Sequence, residues 1–186
     1  MQIDRLSLRG FRNYEDAQAQ FVPGVNLLVG GNANGKTNLL EAVSYLSTGR
    51  SFRTRREAEL IRFGADFAEL RAQVQSQERT RELRAVLFTG RRPRQLWLAG
   101  VRQRSRAALS GVLTSVLFCP EDLMILKKGA AGRRRLMDGV ICQLRPNYEA
   151  ALAEYGRLLD QKSALLRERY DNPSLLQVLP DYDLRM

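Results

Sequence analysis

Val25-Asn26-Leu27-Leu28-Val29-Gly30-Gly31-Asn32-Ala33-Asn34-Gly35-Lys36-Thr37-Asn38-Leu39-Leu40-Glu41-Ala42-Val43 is the stretch on which the reading of this chain turns. Residues 25–29 form an apolar run of the length expected for a strand buried on both faces. The next eight fit G-x-x-x-x-G-K-[ST], and from Lys36 the apolar positions Leu39, Leu40, Val43 and Leu46 recur at helical spacing until Gly49, which is placed to end the helix. Strand, glycine-rich loop and helix in that order are the context in which the pattern binds phosphate. Glycines at 30 and 35 let backbone amides turn inward as an anion nest, and the helix adds its positive N-terminal end. Gly30, Gly31, Asn32, Ala33, Asn34, Gly35, Lys36 and Thr37 are therefore the candidate nucleotide site. Lys36 is placed for the β- and γ-phosphates of ATP, and the Thr37 hydroxyl for a Mg ion.

Outward from this unit the pattern is mostly β. Residues 2–8 alternate as an edge or half-buried strand, a second short strand ends near Phe21, and Pro23-Gly24 makes a turn. Residues 67–74, 83–88 and 95–98 read as antiparallel strands, and Val112 to Phe118 as a further strand entering the loop at Cys119-Pro120. After Gly132 the chain turns helical, with a long amphipathic stretch from Asn147 to Tyr170 whose apolar stripe needs a cover.

Composition bounds the chemistry. The 186 residues contain no histidine, so an imidazole base, a His-based triad and a His-ligated zinc site are excluded. Cys119 and Cys142 stand singly in apolar surroundings and read as buried free thiols. No run reaches membrane-spanning length and no signal peptide is present, so the expected location is the cytoplasm. The net charge is +10, and the bases are 26 arginines and 4 lysines. Arginine forks suit nucleic-acid phosphates, although compositional bias would give the same count on solvated faces. Arg53, Arg55 and Arg56 are candidate DNA contacts, Arg133, Arg134 and Arg135 could serve DNA or pack against the nucleotide lobe, and Arg91, Arg92 and Arg94 read as a soluble hairpin tip. No aromatic residue is interleaved with these clusters along the sequence, which favours backbone contact to duplex over base stacking.

The phosphate loop, followed by Tyr45-Leu-Ser-Thr-Gly-Arg-Ser-Phe-Arg53, resembles the bacterial RecF family of DNA replication and repair proteins. Phe11-Arg-Asn-Tyr14, Phe118-Cys-Pro-Glu-Asp-Leu123 and Arg133-Arg-Arg-Leu-Met-Asp138 extend the resemblance over nearly the whole chain. It implies an α/β P-loop head of the SMC and ABC type, with a mixed sheet, added antiparallel strands and an inserted helical lobe. Here residues 1–130 would be an incomplete ATP-binding lobe and 131–186 the beginning of the helical one. It also implies ATP with Mg as cofactors, an ATP-dependent homodimer around duplex DNA, and recognition of gapped DNA or single/double-strand junctions. Recombination mediator proteins would be its partners in recombinase loading and the SOS response. By the same resemblance Arg12 would lie near the nucleotide, or else be a surface arginine capping the first turn. Glu121 occupies the loop where related heads carry a magnesium-contacting glutamine.

An acidic pair at the end of a buried strand and a serine-glycine signature loop, which such ATPases require, are not found in this sequence. In the resembled family they lie beyond the helical lobe. The chain therefore reads as a truncated half that binds ATP without hydrolysing it alone, with exposed apolar faces and poor solubility. Two other readings stay open: a basic module that holds nucleotide without ATPase activity, and a P-loop small-molecule kinase.

Overall fold

A computed structural model describes residues 1–76, 79–124, 129–168 and 173–185. Six strands form one antiparallel sheet: β1 (Gln2–Phe11), β2 (Tyr14–Gln20), β3 (Phe67–Ser76), β4 (Arg79–Phe88), β5 (Gln95–Leu98) and β6 (Val101–Gln103), in the spatial order β2-β1-β3-β4-β5-β6. β1 is an interior strand, paired with β2 on one side and β3 on the other, so of the two expectations, edge or half-buried, the second holds. Alternation records only that one face is wet. The number of lateral neighbours depends on β3, some sixty residues away.

Along β1, β3 and β4 every second side chain turns to the core. Leu6, Leu8, Leu70, Ala72, Val74, Leu83, Ala85 and Leu87 are buried there. Against them lies α1 (Lys36–Thr48), which contributes Ala42, Tyr45 and Leu46. The helix is rotated from the expected face: Leu39 and Val43 only flank the core, Leu40 is exposed, and Glu41, Ser44 and Ser47 are buried. Polar partners in the loops flanking α1 decide that rotation, and a hydrophobic count along the helix does not contain them. Gly49 ends α1 as expected, at φ 64 with its N–H donating to the Tyr45 carbonyl. A β-carbon there would lie 2.0 Å from Arg106 Cδ, so this glycine is needed for close approach as well as for the left-handed turn.

Three helices complete the described chain: α2 (Gly129–Leu144), α3 (Pro146–Glu168) and the short α4 (Leu179–Arg185). α3 agrees with the expected amphipathic stretch up to Glu168; Tyr170 lies outside the described residues. Leu158 of α3 is buried, whereas Tyr155 and Leu159 remain largely exposed. This helical layer joins the sheet layer through an ion pair between Arg106 and Glu149 and through Gln143. The Gln143 side-chain oxygen accepts from Ser47 Oγ at 3.1 Å and from the Ser115 amide at 2.7 Å, while its Nε2 donates to the Ser115 carbonyl at 3.1 Å.

Two expected strands are not formed. Residues 25–29 and 112–118 carry no strand pairing, and the apolar side chains Val25, Leu27 and Val29 are 93%, 82% and 81% exposed, with Val116 and Phe118 also in solvent. A strand exists only where its amides and carbonyls find a lateral neighbour. The described residues supply none to these segments, whatever their β propensity. Cys119 and Cys142 are half-buried thiols, which corrects the expectation of full burial.

Apolar surface of this kind should bind a hydrophobic dye. Replacing Leu27 and Val29 together by threonine is expected to lower anilinonaphthalene sulfonate fluorescence and light scattering while leaving far-ultraviolet circular dichroism unchanged. Unchanged dye binding in the double variant would show that residues 25–29 are covered in solution.

Candidate nucleotide site

The loop between residue 29 and α1 curls as the glycine-rich pattern requires. Ala33 adopts φ 66 and Gly35 φ 88, both left-handed, and the Gly35 carbonyl accepts the first α1 hydrogen bond, from Leu39 N at 2.9 Å. Gly35 is buried against the β1–β2 turn, where a β-carbon would meet the Asn13 amide and the Tyr14 hydroxyl at 2.8 Å. Tyr14 donates its hydroxyl to the Gly35 carbonyl at 3.1 Å, and Asn38 of α1 donates to Asn13 Oδ1 at 2.8 Å. The loop is thereby clamped from the strand side, and residues 30–34 with Thr37 face solvent.

Lys36 Nζ donates to the carbonyls of Gly30 and Gly31, both at 2.7 Å. These contacts close the loop on itself and satisfy two of the three ammonium donors. Phosphate oxygens are stronger acceptors for a cation than carbonyls are, so the lysine is held at the mouth of the loop with its charge available to them. The open amides at the start of α1, the lysine and the exposed Thr37 hydroxyl make a donor set that fits a phosphate chain with a hard cation beside it.

One turn further along α1 stands Glu41, wholly buried. Arg12 grips its carboxylate with two bonds, Nε to Oε2 at 2.9 Å and Nη2 to Oε1 at 2.7 Å; Ser51 Oγ donates to Oε1 at 2.5 Å, and Arg53 Nη1 to Oε2 at 3.2 Å. Arg12 itself sits at φ 53, with its amide bonded to the Leu60 carbonyl and Nη1 to the Glu59 carbonyl at 2.7 Å. Burial pushes the Glu41 carboxyl up, but the hydrogen bonds from Arg12 and Ser51 and the charges of Arg12 and Arg53 outweigh burial and hold it below the usual range. Neither Glu41 nor Ser51 was singled out by sequence reasoning. The usable signal was an isolated acid inside an apolar helical register, with arginines on both sides of it in the chain.

The remaining sequence-derived candidates spread out. Arg53 also donates to Asn38 Oδ1 at 2.7 Å, so it is tied to α1 while its side chain stays 43% exposed. Arg55 and Arg56 are exposed. The Glu121 side chain lies outside the described ones; its segment forms a 3-10 turn, Pro120–Met124, in which Asp122 caps the Cys119 amide at 2.8 Å. Arg94 is not part of a solvated hairpin tip. It reaches back to the Gly49 carbonyl at 3.0 Å, the Tyr45 hydroxyl at 3.2 Å and the Glu57 carboxylate, and so ties the β4–β5 link to the end of α1. Burial raises the Tyr45 hydroxyl far above its ordinary value, so it stays protonated and donates to Glu57 at 2.7 Å. No group of three or more possible metal ligands occurs among the described residues, and no helix there is long and apolar enough to cross a membrane.

Comparison with known proteins bears on the fold. Residues 2–93 match the family model described as RecF/RecN/SMC N terminal domain. The DNA replication and repair protein RecF of Symbiobacterium thermophilum is 40% identical over 179 residues, 96% of this chain and 47% of its own. That of Acidothermus cellulolyticus is 42% identical over 167 residues, 90% of this chain and 45% of its own. This chain thus spans about half the length of the curated relatives it matches. Among solved structures, one described as the recombination mediator protein RecF-ATPrS in the RecFOR pathway superimposes with a TM-score of 0.92 at 30% identity. It covers 99% of this chain and 50% of that one. A second, described as RecF-ATP in the same pathway, gives 0.83 at 32% identity over 89% of this chain and 44% of that one. The α/β class and the P-loop head architecture expected from the sequence are those of these structures.

Glu41→Gln tests the buried hub. It keeps the shape and removes the charge between two arginines, and is expected to cost about 3 kcal/mol in chemical denaturation near pH 7. Because the folded carboxyl titrates below its unfolded value, its contribution is fully present above the unfolded pKa and is lost as pH falls through the folded one. The variant should therefore lose much of the acid limb of the stability profile. An acid limb as steep as that of the parent chain would remove Glu41 from this role.

Proposed function

We propose that this chain, which matches the N-terminal portion of RecF proteins, is a RecF-type nucleotide-binding head that binds ATP through residues 30–37 and engages DNA in recombinational repair. The observation that carries the proposal is Lys36, held on two carbonyls of its own loop at 2.7 Å in the position from which it can pass to phosphate. When nucleotide enters, the amides of residues 33–37 receive the β-phosphate and the Lys36 ammonium turns from carbonyl to phosphate oxygen. The exposed Thr37 hydroxyl would hold a Mg ion, which would supply positive charge to the phosphates. Residues 1–130 act as the ATP-binding lobe and 131–186 as the start of the helical lobe.

Arg12 and Arg53 lie within one network with α1, so a charge arriving at the loop competes with Glu41 for them. Arg12 is the nearer to the nucleotide in this reading, through the β1–β2 turn that clamps Gly35. The exposed Arg55 and Arg56, together with the exposed part of Arg53, contact the phosphates of duplex DNA next to a single-strand gap. In the full-length family ATP drives a homodimer around that duplex, and recombination mediator proteins act with it. This proposal draws support from the two RecF structures with ATP or its analogue, both of which are described as recombination mediators.

A reading without turnover is favoured by one observation. Glu41, the carboxylate built into α1 near the loop, has both oxygens occupied by arginines and a serine, so it is not available to activate water. The chain by itself is therefore expected to hold ATP without hydrolysing it.

Titration calorimetry with Mg-ATP compares the chain with Lys36→Ala; affinity should fall at least about tenfold, since an ionic contact to phosphate is lost. Equal binding by the two would remove the loop from the function. For DNA, affinity for a gapped duplex measured over a salt series should give a log-log slope that Arg55→Ala and Arg56→Ala each reduce by about 0.9, one released counterion per contact. A slope unaffected by both would place the DNA elsewhere on the protein.

A further inference from the structure

The sheet has a second face, turned away from α1. Strand register places Phe67 opposite Phe88, Arg71 opposite Arg84, Arg84 opposite Trp97 and Trp97 opposite Arg102, all in phase with one another and out of phase with the buried Ala68, Leu70, Ala72, Leu83 and Ala85. Three stacks of a guanidinium on an aromatic ring lie on this face. Arg84 is 4.4 Å from the centre of the Trp97 ring, Arg92 is 3.9 Å from that of Phe88, and Arg9 is 5.6 Å from that of Phe67.

Glu69, on the same face, accepts from Arg71 at 2.8 Å and also pairs with Arg84, which fixes two guanidiniums in one transverse row ahead of any ligand. Arginines nevertheless outnumber the acids Asp16, Glu69 and Glu82 there, and Arg71 and Arg102 are exposed. Strands stand about 4.8 Å apart, so the row from Arg71 to Arg102 runs roughly 14 Å across the sheet, and Phe88 lies about 13 Å along β4 from Arg84. In sequence these residues are scattered over some ninety positions. Folding interleaves aromatic rings with cations, the arrangement that the arginine clusters lack when read along the chain.

We propose that this outer face is a binding platform for single-stranded nucleic acid, separate from the duplex contacts at Arg55 and Arg56. Unpaired bases stack on the Arg84–Trp97 and Arg92–Phe88 pairs, since both a guanidinium plane and a half-exposed ring accept a base face. Arg71 and Arg102 take the phosphates between them. Duplex fits less well because its base faces are already covered by their neighbours. A protein partner fits less well because the rings lie under arginines and form no apolar core for an interface. The inference rests on the DNA-binding part of the proposed function and adds to it a place for the unpaired strand of a gap.

Trp97 is the single tryptophan of the chain, so its emission reports this face alone. Titration of the whole chain with a fluorescein-labelled oligothymidylate should quench Trp97 emission with the same midpoint as the rise in label anisotropy. Trp97→Leu should weaken oligothymidylate binding about tenfold, the loss of one stacked base, and Trp97→Phe should restore most of it. Binding to blunt duplex should be unaltered in both. Arg102→Ala, at an exposed position, gives a second variant without risk to the core and should weaken binding with a shallower salt slope. Oligothymidylate binding with unchanged Trp97 emission, or equal affinity in Trp97→Leu and the parent chain, would overturn the platform while leaving duplex binding intact. Failure to bind either DNA would sink the DNA reading itself and the platform with it.

Discussion

A carboxylate buried beneath the phosphate loop is the constraint on which the rest of this structure depends. Glu41 has no exposed surface, and it is held by Arg12 from the β1–β2 turn and by Ser51 and Arg53 from the segment after α1. Burying one charge costs several kcal/mol unless it is paired and hydrogen-bonded, and here the contacts that offset the cost come from two separate pieces of chain. The ion pair therefore works as a fastener. It sets the rotation of α1 about its axis, fixes the β1–β2 turn over Gly35, and brings the arginine-rich segment beside the nucleotide loop.

From the other end of α1 a second set of polar contacts reaches the helical layer. Gly49 admits the Arg106 side chain, which pairs with the buried Glu149 of α3, while Ser47 meets Gln143 of α2. Arg94 and Glu57 close on Tyr45 between them. The helix that begins at the phosphate loop is thus bonded at its start to the strand layer and at its close to the helices.

The sheet gives the same strands two environments. Its inner face is aliphatic and dry; its outer face pairs arginines with aromatic rings and one carboxylate. A period of two residues produces both at once, so substitutions that conserve the alternation conserve the separation of core from charged surface. Exposed apolar side chains at residues 25–29 break this economy, since they have neither a second sheet layer nor lateral strands among the described residues.

Much of the site was legible in the amino-acid sequence. The eight-residue pattern at 30–37, the strand pairs 67–74, 83–88 and 95–98, the helix from Lys36 and its stop at Gly49 are local facts, set by glycine backbone freedom and by hydrophobic period. Sequence alone determined these because each depends on residues within a few positions of one another. Tertiary structure alone decided that β1 is an interior strand, that residues 25–29 and 112–118 stay unpaired, that Arg94 turns inward, and that Glu41 rather than Leu40 faces the interior. It also decided that Trp97 stands among arginines. Each of those outcomes depends on a partner well outside the local stretch. Strand neighbours, ion pairs and stacks are fixed by which distant groups can satisfy a hydrogen bond or a charge, and a one-dimensional pattern carries no record of that.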